Sequence, residues 1–363
     1  MTLLDTFMHN GPNGVHRCLV FDVMGPSTAT MAENLPTGLR TLPRNHNQCV
    51  EPGEPIERRY PLWMARSILR QTLLGIRFLH ENGVTHGDLQ PGNILFSVKD
   101  LSSLSENQLA QEDQSELYFV KRTNCDGEVQ FDLPTKKIVD PEMYQNFNGE
   151  NPSAPRYISR KQPMIDYVDL KPPLLIKLSD FGGAFFHSEP PAKPVTPLGL
   201  RCPELVLGDP ITQRQDVWSL GCLMFEFITG QMLFNIMAFP DEEGGDSELN
   251  EANDDHWLQF SDILGPLPPK ILSRWSRSHL YYNDKGQKVR HYIGDLPEGE
   301  DDSGPDETLE TQIDRRKAAD LSPDEALIIK NILRSILQYD PTNRPSASEL
   351  LRHPWFAGPD LYG

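Results

Sequence analysis

Two aspartates and one asparagine carry the most pointed spacing in this 363-residue chain. Asp88 and Asn93 stand five residues apart in the stretch THGDLQPGNILF (85–96), and Asp180 opens Asp180-Phe181-Gly182. A carboxylate such as Asp88 can accept a proton from a hydroxyl. An amide oxygen on Asn93 and a second carboxylate on Asp180 are hard ligands that suit Mg²⁺. A base and two metal-holding oxygens, beside a bound nucleotide, are what phosphoryl transfer needs. Each fragment alone is weak, since a lone Asp-Phe-Gly is commonly a turn. Their order carries more: an amphipathic helix, H-x-D-x-x-x-x-N, a β-rich run, D-F-G, C-P-E, and an apolar helix opened by an aspartate.

Those groups need rigid elements around them. Ala65, Ile68, Leu69, Thr72, Leu73, Ile76 and Leu79 recur at helical spacing, and Asn82-Gly83 supplies the stop. Residues 174–186 read as a β-rich run, a turn and further apolar residues. Residues 216–229 are apolar nearly all round, which predicts a helix buried on every side, ended by Gly230. Residues 322–339 predict an amphipathic helix with Ser322 as N-cap, Pro323 in the first turn, and Asp324 and Glu325 at the positive end. LRHPWF (351–356) closes the pattern. Residues 16–25 read as a short buried strand ending in a Gly-Pro break, and 28–59 as loop. Residues 98–168 lack periodicity and predict an insert. The acidic stretches 239–255 and 294–314 read as solvated loops.

Lys and Arg number 34 against 52 Asp and Glu, a net charge of −18. That balance argues against a nucleic-acid or anionic-membrane surface as the main partner and favours a basic one. The 32 prolines predict long loops. Cys18, Cys49, Cys125, Cys202 and Cys222 are scattered, without metal-ligand or disulfide-framework spacing. With no secretory pattern at the start and no membrane-length apolar run, the expected compartment is intracellular, cytoplasmic and/or nuclear.

On these motifs the chain resembles the eukaryotic protein kinases. Within them it is similar to the SR-protein kinase family, through LLDTF near the start, HRCLVFDVMG at the hinge, NILFSV after the catalytic loop, the long insert and LRHPWF. The resemblance implies an α+β, protein kinase-like fold with a mostly helical C-terminal lobe. Residues 1–24 would be a remnant of the N-lobe strands and hinge. Residues 25–363 would be the C-lobe, with a flexible insert at 97–171 and a second insertion at 240–320. The implied cofactors are ATP and Mg²⁺, with Asp88 as base and Asn93 and Asp180 on the metal. Phe21 would back the adenine pocket, and Asp22 to Met24 would form the hinge. Glu204 would pair with Arg344, Asp216 would anchor the catalytic loop, and His86 and Phe181 would stack in the core. The implied activity is ATP-dependent phosphorylation of serine in basic, Arg/Ser-rich proteins.

Three departures bear on activity. Gly87 stands where many kinases carry an Arg that pairs with a phosphorylated loop; SR-protein kinases resemble this chain in lacking it. Gln90 stands where a Lys is usual and cannot neutralise charge, an expected loss on the order of 3 kcal/mol, or about a hundredfold in rate. No glycine-rich loop and no V-A-I-K lysine precede the hinge. The chain as written is therefore expected to hold ATP weakly, whether through a start internal to a longer kinase or as a lobe alone. The alternative is a pseudokinase-like lobe that docks basic partners through an acidic surface.

Overall fold

The computed structural model describes residues 2–11, 14–35, 59–109, 121–123, 129–131, 164–236, 246–291, 293, 307–317 and 320–357. The chain divides into two compact units, residues 1–26 with 97–169, and residues 27–96 with 170–363.

In the first unit, β1 (Leu3–Gly11) and β2 (Gly14–Phe21) form an antiparallel hairpin that pairs His9 with His16 and Thr6 with Leu19. Residues 16–21 are a strand, as expected, but not a buried one: Leu19 is 54% exposed. A two-stranded ribbon offers no second layer to cover it. Nor does the Gly-Pro pair end a strand, because β3 (Met24–Ser27) runs through Gly25-Pro26. Beyond Ser97 the unit holds α3 (Glu106–Leu109) and a small antiparallel pair, β6 (Lys121–Thr123) with β7 (Val129–Phe131). Most of the expected insert at 97–171 lies outside the described residues.

The second unit opens with α1 (Thr28–Glu33), inside a stretch expected to be loop. Ser27 caps it by accepting from the Thr30 amide, and Thr28 Oγ1 donates to the Pro91 carbonyl 2.8 Å away. Tyr60 Oη donates in turn to the Thr28 carbonyl, and a six-residue helix held by a cap and such distant bonds leaves little periodic trace. Next come α2 (Leu62–Glu81), β4 (Val84–Thr85), β5 (Ile94–Ser97), β8 (Ile176–Leu178) and β9 (Phe185–Phe186). The apolar stripe of α2 is buried from Ala65 to Ile76, as its spacing predicts, and half-buried at Leu79. β4 pairs with β9, and β5 with β8 in the register Ile94↔Leu178 and Phe96↔Ile176.

After α4 (Pro203–Val206), the helix α5 (Arg214–Thr229) runs through the core, and 14 of its residues are buried. Each large apolar side chain so enclosed contributes about 1.5–3 kcal/mol. Trp218 stacks on Phe234, centroids 5.8 Å apart, and meets Phe260 edge-on. Gly230 ends the helix at φ 80°, a left-handed position that favours glycine.

The remaining helices are α6 (Asp246–Leu264), α7 (Pro269–Arg274), α8 (Leu309–Arg316), α9 (Pro323–Ile336) and α10 (Ala347–Leu351). Two correct the sequence reading. The acidic run expected as loop to residue 255 is already helical at Asp246. Buried Ala252, Trp257 and Phe260 hold that helix to the core. The second acidic run turns helical at Leu309, where Leu309 and Ile313 are buried and Thr308 accepts from the Thr311 amide. Its residues 294–306 lie outside the described set. Ser322 caps α9 as the sequence predicts, accepting from the Glu325 amide. No described helix is long and apolar enough to cross a membrane.

Within α5, Glu226 is half-buried, and the burial it has lifts its carboxyl from the ordinary 4.5 to about 7. A carboxyl raised on folding stabilises fully below its unfolded pKa, and that contribution is lost as pH rises through about 7. The loss is on the order of 3 kcal/mol. Thermal unfolding of the wild type and Glu226→Gln at about pH 5 and about pH 8.5 tests this. The variant gains relative to wild type at the higher pH, and equal differences at both would refute the assignment.

Candidate active site

The turn between β4 and β5 carries Asp88, Gln90 and Asn93, and one buried carboxylate shapes it. Asp216, at the start of α5 and 1% exposed, accepts from the His86 amide at 2.9 Å and the Gly87 amide at 3.0 Å. It also meets His80 Nε2 of α2 at 2.8 Å. These bonds satisfy backbone donors that would otherwise be orphaned in a buried turn. Gly87 takes φ 80°, and a Cβ there would stand 2.3 Å from the Gly183 carbonyl oxygen. The position that lacks the expected Arg has no room for a side chain in this backbone.

Three sequence-predicted groups converge. Gln90 Nε2 lies 2.9 Å from both Asp88 carboxylate oxygens. Asn93 Nδ2 donates to the Asp88 carbonyl at 2.9 Å and to its Oδ2 at 3.0 Å. Gln90 therefore orients the Asp88 carboxylate by hydrogen bonding, without bringing the charge expected of a Lys. The sequence shows the lost charge and not this orientation.

Asp180 reaches the same turn by strand register. Leu178 pairs with Ile94, and the Ser179 amide and hydroxyl both donate to the Asn93 carbonyl, at 2.8 and 2.9 Å. Asp180 follows directly, at φ 57° and ψ 72°, its Oδ1 accepting from the Gly182 amide at 3.3 Å. Left-handed backbone is uncommon outside glycine, although Asp tolerates it better than most. His86 Nε2 lies 3.1 Å from the Ser179 carbonyl, and its ring sits 5.1 Å from that of Phe181. His86 is wholly buried, but Phe181 is 44% exposed, so the expected pair is made with only its histidine in the core.

Phe21, Asp22 and Met24 belong to the first unit: Phe21 ends β2, Asp22 follows it and Met24 opens β3. The Asp88, Gln90, Asn93 and Asp180 group belongs to the second.

The donor set fits Mg²⁺. The Asn93 amide nitrogen is committed to Asp88, which leaves its oxygen as a hard ligand, and exposed Asp180 offers a carboxylate with one weak internal bond. Among the described residues no cluster of three or more His, Cys, Asp or Glu could hold a metal by itself. Mg²⁺ does not need one where a nucleotide supplies phosphate oxygens.

Further residues brace the site. Arg344 is wholly buried and grips Glu204 through two 2.6 Å bonds, with its guanidinium 4.9 Å from the Trp218 ring centroid. Thr196, Gly183 and His256 gave no signal in the sequence. Thr196 Oγ1 donates to the Gly87 carbonyl at 2.9 Å.

A family model described as protein kinase domain matches residues 107–356. That span holds Asp180, Glu204, Asp216 and Arg344 and begins after Asp88 and Asn93. The chain is similar to a serine/threonine-protein kinase SRPK of Physarum polycephalum, 27% identical over 359 residues, covering 98% of this chain and 70% of that protein. It is also similar to the dual specificity protein kinase CLK2 of Homo sapiens, 24% identical over 355 residues, covering 98% of this chain and 50% of that one. A crystallised kinase domain superposes with a TM-score of 0.52 at 22% identity, over 98% of this chain and 76% of that domain, a likeness of fold. With the family model covering more than half its length, the chain belongs to the protein kinase family, and its relationship there is SRPK-like.

Proposed function

We propose that the protein transfers the γ-phosphoryl group of ATP to serine in Arg/Ser-rich proteins. The observation that carries this reading is the Asp88 carboxylate, oriented by Gln90 and Asn93 in a turn fixed by Asp216. Such an oriented carboxylate takes the proton of an incoming hydroxyl, and a general base of this kind contributes roughly 10²–10⁴-fold. Asn93 and Asp180 would hold Mg²⁺, which would offset the charge of the phosphates. Phe21, Asp22 and Met24 would meet the adenine. In this reading residues 1–24 are the remnant of the N-lobe, 25–363 the C-lobe, and 97–171 and 240–320 insertions. The net charge of −18 favours an Arg-rich partner. The similar SRPK and CLK2 are protein kinases, which supports a protein substrate. Scattered free thiols, among them Cys18, Cys202 and Cys222, support an intracellular setting, cytoplasmic and/or nuclear.

Gln90 supports a second reading, a lobe that docks basic segments without transfer, because it supplies no charge to a developing phosphoryl anion. One assay separates them. Mg-ATP-dependent labelling of an Arg/Ser peptide is measured for wild type, Asp88→Asn and Asp180→Ala. Transfer that drops at least about a hundredfold in both variants supports the kinase. Peptide binding that needs no nucleotide and persists in Asp180→Ala, with no labelling by wild type, supports the docking lobe.

A further inference from the structure

Residues 196–201 run from the catalytic turn to α4 and are pinned along their length. Thr196 Oγ1 holds the Gly87 carbonyl, and Arg201 Nε donates to the Thr196 carbonyl at 3.0 Å. Gly199 lies so close to Phe234 that a Cβ would stand 2.5 Å from its carbonyl oxygen. Between these points Pro197, Leu198 and Gly199 are half-buried and present a short apolar wall one hydrogen bond from the backbone beside Asp88.

The middle of that wall is held from α6. His256 is wholly buried, with Nε2 2.8 Å from the Leu198 carbonyl and Nδ1 2.6 Å from the Ala252 carbonyl one turn back in its own helix. Carbonyls only accept, so each contact is a hydrogen bond only where the ring nitrogen carries a proton. The ring also packs against Phe260, centroids 5.7 Å apart.

We propose that His256 is a positioning residue for the polypeptide substrate: it fixes the Leu198 carbonyl and with it the wall along which a peptide brings its hydroxyl to Asp88. The inference rests on the kinase reading for its role and deepens it. In this reading the peptide and not ATP lies along the wall, so losing the contact weakens peptide binding and spares nucleotide binding. A purely structural histidine would weaken both together.

Two variants separate the cases. His256→Phe fills the space without a donor, and His256→Gln keeps one donor. Hydrogen exchange of amides 198–201 reads the wall directly, whether or not the protein is active. In His256→Phe we expect exchange there and the peptide KM to rise about tenfold, with kcat and the ATP KM within about twofold. His256→Gln should stay near wild type. If His256→Phe does not fold, His256→Asn replaces it, since its shorter amide reaches the Ala252 carbonyl but not that of Leu198. Unchanged exchange in a folded Phe or Asn variant overturns the proposal, as does equal behaviour of Phe and Gln. Faster exchange in a protein whose wild type transfers no phosphate leaves His256 as the clamp of this wall and sinks the kinase reading instead.

Discussion

Replacing Asp216 by Ala is expected to destabilise the second unit by about 3–5 kcal/mol and to silence what remains folded. The carboxylate is buried and serves three donors at once, the amides of His86 and Gly87 and the ring of His80. Truncation leaves two backbone donors unsatisfied, each costing about 1–3 kcal/mol. The chemical effect is separate. Those two amides set the path of the turn that carries Asp88, and a displacement of about 1 Å in a reacting group can cost about a hundredfold. Urea unfolding gives the stability, and peptide phosphorylation at a temperature where the variant is folded gives the rate. Wild-type activity in folded Asp216→Ala would show that the turn holds its shape without this anchor.

The next largest effect belongs to Glu204 and Arg344. The Arg344 side chain is fully buried, spends both terminal nitrogens on Glu204, and gives its Nε to the Gln338 carbonyl at 2.9 Å. Glu204→Ala strands a buried cation, and Arg344→Met a buried anion, so each single change should cost about 3–5 kcal/mol. The double variant should cost clearly less than the sum, because neither charge is then left alone. Four urea midpoints test this. Strict additivity would mean that each side chain finds an equivalent partner elsewhere.

The parts of this site that the sequence makes legible are those written in periodic or contiguous code. The stripe from Ala65 to Leu79, the apolar run from Asp216 and the cap at Ser322 all follow local rules, and the elements they predict are present. The spacing of Asp88 and Asn93 is likewise local, and the structure brings them into contact. What the sequence hides is set by partners far along the chain. The start of α6 looks like a solvated acidic loop until Trp257 and Phe260 pull the helix onto Trp218 and Phe234. His256 is one histidine among ten until Leu198, 58 positions away, supplies its carbonyl. Gln90 reads as a missing charge, and only the fold shows its amide turned onto both oxygens of Asp88. The exposure of β2 follows from its having, among the described residues, a single strand partner, which its alternating residues do not reveal.

The bonds on Asp216 also set an order of events in time. They tie residues 80, 86 and 87 to a carboxylate 129–136 places downstream. Closing so long a loop is entropically dear, and contacts of this separation form after local helices. On a ribosome, Asp88, Asn93 and Asp180 all emerge before Asp216 does. A growing chain thus carries every one of these groups while the turn that aims them has no fixed shape. The arrangement of these groups comes into being as α5 docks beside α2, and so only with completion of the core.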